Sequence, residues 1–337
     1  TPLLSNIRIR NSSSTSRTAG TGIEIRGAIA LQLDHAEIDD YETGIDYDAQ
    51  SYDFGRVTPL LSNIRVRNSS STSRSSGKGI TLKNLLRVQA MNDSIIGFDE
   101  GLIIDNSELS SSSTPLLSNI RIRNSSSTSR TESTGLQLVG ANNAQIDSLD
   151  IMDYATGVEI IGQNNRAASS PLLSNIRIRN SSSTSRAPAR GIKIQGSVIA
   201  SLKDTDIQNC NTGILYEADP ETIYAHTPLL SNIRIRNSSS TSRDDYQGIV
   251  LRNLPAAQCS LLVIYPELDP DNPGDVSGSA ISIDNGSANI QRATIWGIEH
   301  GLHIMNNANA AFSQGIIWPA NDDIQLTSPI YLDGGQV

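Results

Sequence analysis

A 17-residue block, TPLLSNIRIRNSSSTSR, starts at Thr1 and returns at Thr58, Thr114, Ser170 and Thr227, with only Val66 and Ser170 departing from it. The intervals are 57, 56, 56 and 57 residues. Self-similarity at a fixed period marks a chain that grows along one axis, each unit burying its apolar face on the last. A finer repeat runs beneath the block: a glycine followed by an aliphatic residue, from Gly22-Ile23 and Gly44-Ile45 through Gly101-Leu102 to Gly301-Leu302. Its separations alternate 22, 35, 22, 34, 22, 34, 22, 35, and a last interval of 53 is divided by Ala280-Ile281. Each unit therefore holds one short and one long rung.

Aligned on their glycines, the two rungs place Ala36 against Ile7 and Ile38 against Ile9. The long rung is the short one with insertions, among them SSSTSR, a Ser/Thr turn with no apolar residue to bury. Segments such as NIRIR, GIEI and GIKI alternate apolar and polar residues, the two-residue period of a strand with one face buried and one wet. A 22-residue rung has no room for a crossover helix, so stacked parallel strands remain. A core of Ile, Leu, Val and Ala in a chain only 4% aromatic fits that thin coil. The alternatives are a propeller, for which four strands per unit suffice, and a leucine-rich repeat, whose LxxLxLxxN signature is missing.

The pattern predicts an all-β right-handed parallel β-helix of about 11 rungs, the hand following from that of parallel crossovers. With its Asn/Asp-rich turns, short aliphatic strands and Gly-Ile-x-Ile anchors, the chain resembles the parallel β-helix repeat proteins of the pectate-lyase-like group. That group includes polysaccharide lyases, galacturonases, phage tailspikes and bacterial surface adhesins, and the near-identical tandem block is closest in character to the adhesins. The expected organisation is a single domain, 1–337, of five two-rung repeats (1–57, 58–113, 114–169, 170–226 and 227–279) and divergent rungs over 280–337. Both ends fall in mid-pattern without a polar cap, and the opening residues lack the order of a secretory signal, so a piece of a longer chain is expected.

Charge is segregated. The five blocks carry 15 of the 26 Lys+Arg and no acid, while the remaining 252 residues hold 11 basic and 35 acidic groups. With Ile facing the core, Arg8 and Arg10 face outward, as do Arg65 and Arg67, Arg121 and Arg123, Arg177 and Arg179, and Arg234 and Arg236. The block recurs every second rung, or ~9.6 Å along the axis, giving a two-column arginine stripe. Glu37, Asp150 and Asp206 fall opposite the Arg8 column and Asp39 opposite Arg10, whereas Ser94, Ile96, Met152 and Gln208 leave neutralisation incomplete. Salt-bridge ladders and a ligand-binding stripe are both consistent with this, and the two can coexist. Arg17, Arg74, Arg130, Arg186 and Arg243 close the Ser/Thr loops and add a second row of guanidinium forks suited to carboxylates, sulfates and sugar hydroxyls. Asn11, Asn68, Asn124, Asn180 and Asn237 begin Asn-Ser-Ser sequons; outside a glycosylating host they turn the chain or stack as an amide ladder.

Catalytic signatures are sparse. Asp39-Asp40 and Asp322-Asp323 are acidic doublets far apart in sequence, and His300 and His303 read as surface residues. The acidic Pro/Gly insert supplies Asp269, Asp271, Asn272 and Asp275, a loose resemblance to a calcium loop without the glutamate of an EF-hand; no other cofactor is expected. Cys210 and Cys259 lie in no metal or disulfide spacing. An acidic net charge of −9 and blocks without aromatics argue against nucleic acid, and no apolar run approaches a membrane span. The expectation is a non-enzymatic adhesin or filament stalk, extracellular or on a bacterial surface, that presents the arginine face to an acidic or hydroxylated glycan and joins copies end to end. The alternatives are a β-helical polysaccharide lyase or glycoside hydrolase, and a purely structural fibre shaft.

Overall fold

The computed structural model describes residues 2–11, 20–27, 30–50, 58–69, 77–109, 113–124, 132–140, 143–163, 169–181, 189–220, 227–237, 246–266, 278–318 and 330–333. All regular structure in them is strand, and every strand pairing is parallel: two sheets of 15 and 12 strands run side by side, each rung adding to both. The chain is a parallel β-helix. In the first sheet Leu3–Arg10 pairs with Gln32–Asp39, and the series continues through Thr114–Arg123, Gln145–Met152, Leu172–Arg179, Ser201–Gln208 and Leu229–Asn237. The register sets Ile7 against Ala36 and Ile9 against Ile38, as the glycine alignment required. The second sheet stacks the Gly-aliphatic segments, Thr21–Arg26 on Thr43–Asp48 and onward to Ile330–Asp333.

Stacking turns the two-residue alternation into columns. Ile38, Val66, Ile95, Ile122, Ile151 and Ile178 form one fully buried inward ladder, which continues through Ile207, Ile235 and Ile264 to Ile295. Against it lies the glycine column of the second sheet. A Cβ on Gly101 would sit 2.3 Å from Ile122 Cγ2 and 2.4 Å from the carbonyl oxygen of Gly135, so the glycine anchor is set by how closely the two sheets approach. Cys210 and Cys259 are free and buried, and burial pushes both thiols up to about 12.

Within each strand of the first sheet the alternation is reset once. Asn6, Asn63, Asn119, Asn175 and Asn232 adopt φ of 53–56°, and His35, Asn92, Ser148, Asp204 and Leu261 take the same left-handed conformation on the rungs between. Asparagine tolerates that region better than other side chains with a Cβ, which accounts for its place in every block. The residue before the kink faces outward and the one after it inward, so the outer surface of the sheet folds along this line. A second asparagine column turns the chain at the strand ends: Asn68, Asn124, Asn180 and Asn237 are buried. Asn209 donates its side-chain amide to the carbonyl of Asn180, and Asn180 returns the bond to the carbonyl of Asn209. The sequon asparagines thus serve as turn residues.

Candidate functional site

The fold line of the first sheet is concave. A cleft of about 400 Å³ is lined by Asn119, Ser148, Asn175 and Asp204 from the kinked column, Arg121, Asp150, Arg177 and Asp206 from the Arg8 column, and Ile120, Leu149 and Ile176 between them. A second hollow of about 370 Å³ lies on the other arm of the same strands, with Gln89, Met91, Leu116, Ser118, Gln145, Asp147, Leu172 and Ser174 in its lining. Together they make a groove along the coil axis. Its apolar margin is a stripe missed from sequence: Leu3, Leu116, Leu172 and Leu229 are 61%, 37%, 46% and 44% exposed, and in register they alternate with Gln32, Gln89, Gln145 and Gln258. The signal was available, since the LL of each block cannot bury both leucines in an alternating strand.

The carboxylates of the short rungs are held by donors of the long rungs above. Asp34 accepts from Ser62 Oγ and Asn63 Nδ2 at 2.6 and 3.0 Å. Those hydrogen bonds draw its carboxyl down to about 2. Asp147 accepts from Ser174 and Asn175 at 2.8 and 2.7 Å, again lowering its pKa, and Asp204 accepts from Asn232 at 2.5 Å. At the strand ends Asp40 and Asp153 each take both the backbone N–H and the hydroxyl of a serine that follows the turn asparagine, Ser69 and Ser181. The Ser-Asn and Asn-Ser pairs of the block are therefore latches for the acids of the preceding rung.

The arginine stripe is real but unequal. In the Arg10 column, Asp39 lies between Arg10 and Arg67, 3.3 Å from each, with its side chain 5% exposed. Asp150 reaches diagonally out of its own column, to Arg179 at 3.2 Å and Arg123 at 3.9 Å, and Asp206 does the same toward Arg236 at 3.4 Å. In the Arg8 column, Arg8 meets Glu37 at 3.4 Å, but Arg65, Arg121, Arg177 and Arg234 are exposed and make no ion pair among the described residues. Register alone set Asp150 and Asp206 against their Arg8-column neighbours; side-chain reach sends them elsewhere.

Arg17, Arg74, Arg130, Arg186 and Arg243 lie outside the described residues, as do Asp269, Asp271, Asn272, Asp275 and the doublet Asp322-Asp323. Among the described residues there is no cluster of three or more His, Cys, Asp or Glu side chains able to hold a metal. His300 and His303 sit on one strand with ring centroids 6.0 Å apart, on the second sheet and away from the groove. Among the described residues no helix is long and apolar enough to cross a membrane.

Comparison with known proteins gives no matching family model and no matching curated protein. A solved glycoside hydrolase is similar. It is the catalytic unit of the thermostable GH87 α-1,3-glucanase from Streptomyces thermodiastaticus strain HF3-3, 13% identical, with a TM-score of 0.44. The match covers 99% of this chain, which spans 63% of that one. The expectation of a non-enzymatic adhesin or filament stalk is corrected at this point, the similar protein being a catalytic unit. Six of the outward arginines are within ion-pair distance of acids on neighbouring rungs, the salt-bridge ladders that can coexist with a ligand-binding stripe.

Proposed function

We propose that the chain is a polysaccharide-active enzyme, a glycoside hydrolase that lays an extended glycan along the groove of its first sheet. The observation that carries this reading is the convergence of Asp150, Asp204 and Asp206 with Arg121, Arg177, Asn119 and Asn175 on one cleft of about 400 Å³. Paired carboxylates are the working groups of glycoside hydrolysis. Asp204, at the bend, and Asp206 both line the cleft from one strand. Hydrolysis with inversion uses two carboxyl groups with room for a water between base and sugar.

Asp206, within ion-pair distance of Arg236 and accepting from Gln208, is the base that takes a proton from water as its oxygen attacks the anomeric carbon. Asp204 accepts from the amide of Asn232 and lies 3.9 Å from Lys203; in its protonated form it gives its proton to the leaving glycosidic oxygen as the C–O bond breaks. Arg121 and Arg177 hold sugar oxygens on either side with planar forks. A polymeric substrate places the protein outside the cell or at its surface.

The test is release of new reducing ends from a panel of neutral and acidic polysaccharides. Asp204→Asn and Asp206→Asn should each lower kcat by at least about 100-fold with KM little changed. Absence of turnover on every polymer would overturn the reading, and an unsaturated product would replace hydrolysis with a lyase reaction.

A further inference from the structure

Between successive blocks the coil interposes a short rung, and three of these carry acid in the arginine columns: Glu37 and Asp39, then Asp150, then Asp206. The rung of Ser94 and Ile96 carries none, although block arginines flank it on both sides. Arg65, Ser94 and Arg121 stand in one column, and Arg67, Ile96 and Arg123 in the next. Arg65 and Arg121 make no ion pair among the described residues; Arg67 turns to Asp39 on its far side, and Arg123 comes no nearer than 3.9 Å to Asp150. The rung's one acid near the fold line, Asp93, points into the core, 2% exposed, with Oδ1 accepting the N–H of Ile64. Arg65 and Arg121 thus flank a half-exposed serine hydroxyl with no carboxylate on that rung between them, while Arg67 and Arg123 in the adjoining column face Asp39 and Asp150 on their far sides. Arg65 and Arg121 are two rungs apart, ~9.6 Å along the axis, a span that two long side chains close around a small anion.

We propose that this rung is the seat of an anionic group, a carboxylate or sulfate borne by the polysaccharide, and that the groove therefore takes acidic glycans. The hydrolytic reading supplies only the identity of the polymer; the anion site stands on its own geometry. It adjoins the cleft of Asp150, Asp204 and Asp206 through Arg121, which lines both. A chain charged at this rung is thereby presented to the carboxylates further along the groove.

The experiment is a binding titration, by calorimetry, on the full chain carrying Asp206→Asn to suppress turnover. The probes are a uronic-acid oligosaccharide, a sulfated oligosaccharide and a neutral one of equal length. The decisive variant is Ser94→Asp, which puts a carboxylate where Asp150 and Asp206 already stand in the same column, so the coil accommodates it and all four arginines remain. Affinity for at least one anionic probe should exceed that for the neutral probe and fall at least tenfold in Ser94→Asp and in Arg65→Gln, while neutral binding is unchanged in both. The stronger of the two anionic probes identifies the group as carboxylate or sulfate. Equal affinity for all three probes, or anionic binding that survives Ser94→Asp undiminished, would overturn the site. Hydrolysis of neutral glycans alone would leave the Proposed function intact and remove this inference, whereas Ser94-dependent anionic binding without turnover would do the reverse.

Discussion

Asp93 stands where other rungs place Ala36, Ile64, Ile120 or Leu149, facing the core. Burial pushes its carboxyl up to about 7 against the stabilising N–H of Ile64, and Oδ2 has no hydrogen-bond partner among the described residues. A folded pKa above the unfolded value of 3.8 means that the native state binds more protons between pH 3.8 and about 7. Stability should fall as pH rises through that window and level off above it, by an amount on the order of 4 kcal/mol for a buried group. Asp93→Asn keeps an oxygen for Ile64 and removes the titration, so its urea midpoint should vary less between pH 5 and pH 8 than that of the parent chain. The glycine column gives a second single-residue test. Gly101→Val would drive its Cβ onto Ile122 and the Gly135 carbonyl and should cost about 3 kcal/mol, whereas Ala280→Gly, in the same column, should cost about 1 kcal/mol or less by urea denaturation.

At the scale of the strand, the ion pairs differ by burial. Asp39→Ala leaves two arginines without the nearly buried carboxylate between them and should cost about 2 kcal/mol, while Glu37→Ala, which breaks a pair 62% and 45% exposed, should cost well under 1 kcal/mol. Thermal melts of the two variants side by side check the order. This level also shows where reading from sequence stopped. The alternation in NIRIR and the recurring glycines were enough to set Ile7 on Ala36, Ile9 on Ile38, and the arginines outward. The kink at Asn6 and its counterparts was not legible, because nothing in SNI distinguishes a left-handed asparagine from an extended one. Without that kink there is no concave line and no cleft. The diagonal reach of Asp150 to Arg179 was equally hidden, since it depends on side-chain rotamers rather than on strand register. Asp93 was passed over because a lone aspartate beside Asn92 and Ser94 reads as a wet turn.

Across the whole coil each rung touches chiefly the rungs above and below, so removal of one complete unit should be tolerated. Deletion of residues 114–169 joins position 113 to SPLLSN in place of TPLLSN and recreates a native junction. The shortened chain should keep its β-type circular dichroism and lose ~10 Å of maximum dimension in solution scattering, two rungs' worth. It should also lose turnover, since Arg121 and Asp150 go with the deleted unit. The same near-identity of units has a cost during folding. An incoming block offered to the growing end one step out of phase meets arginine with arginine and is rejected, but a slip of two steps sets it against another short rung, where no arginine column opposes it. Parity is guarded by the blocks themselves, whereas absolute position is guarded only by the dissimilar rungs between them, where His35, Asn92, Ser148 and Asp204 differ at the same bend. Those four unlike corners are what let a chain of repeated phrases count where it is.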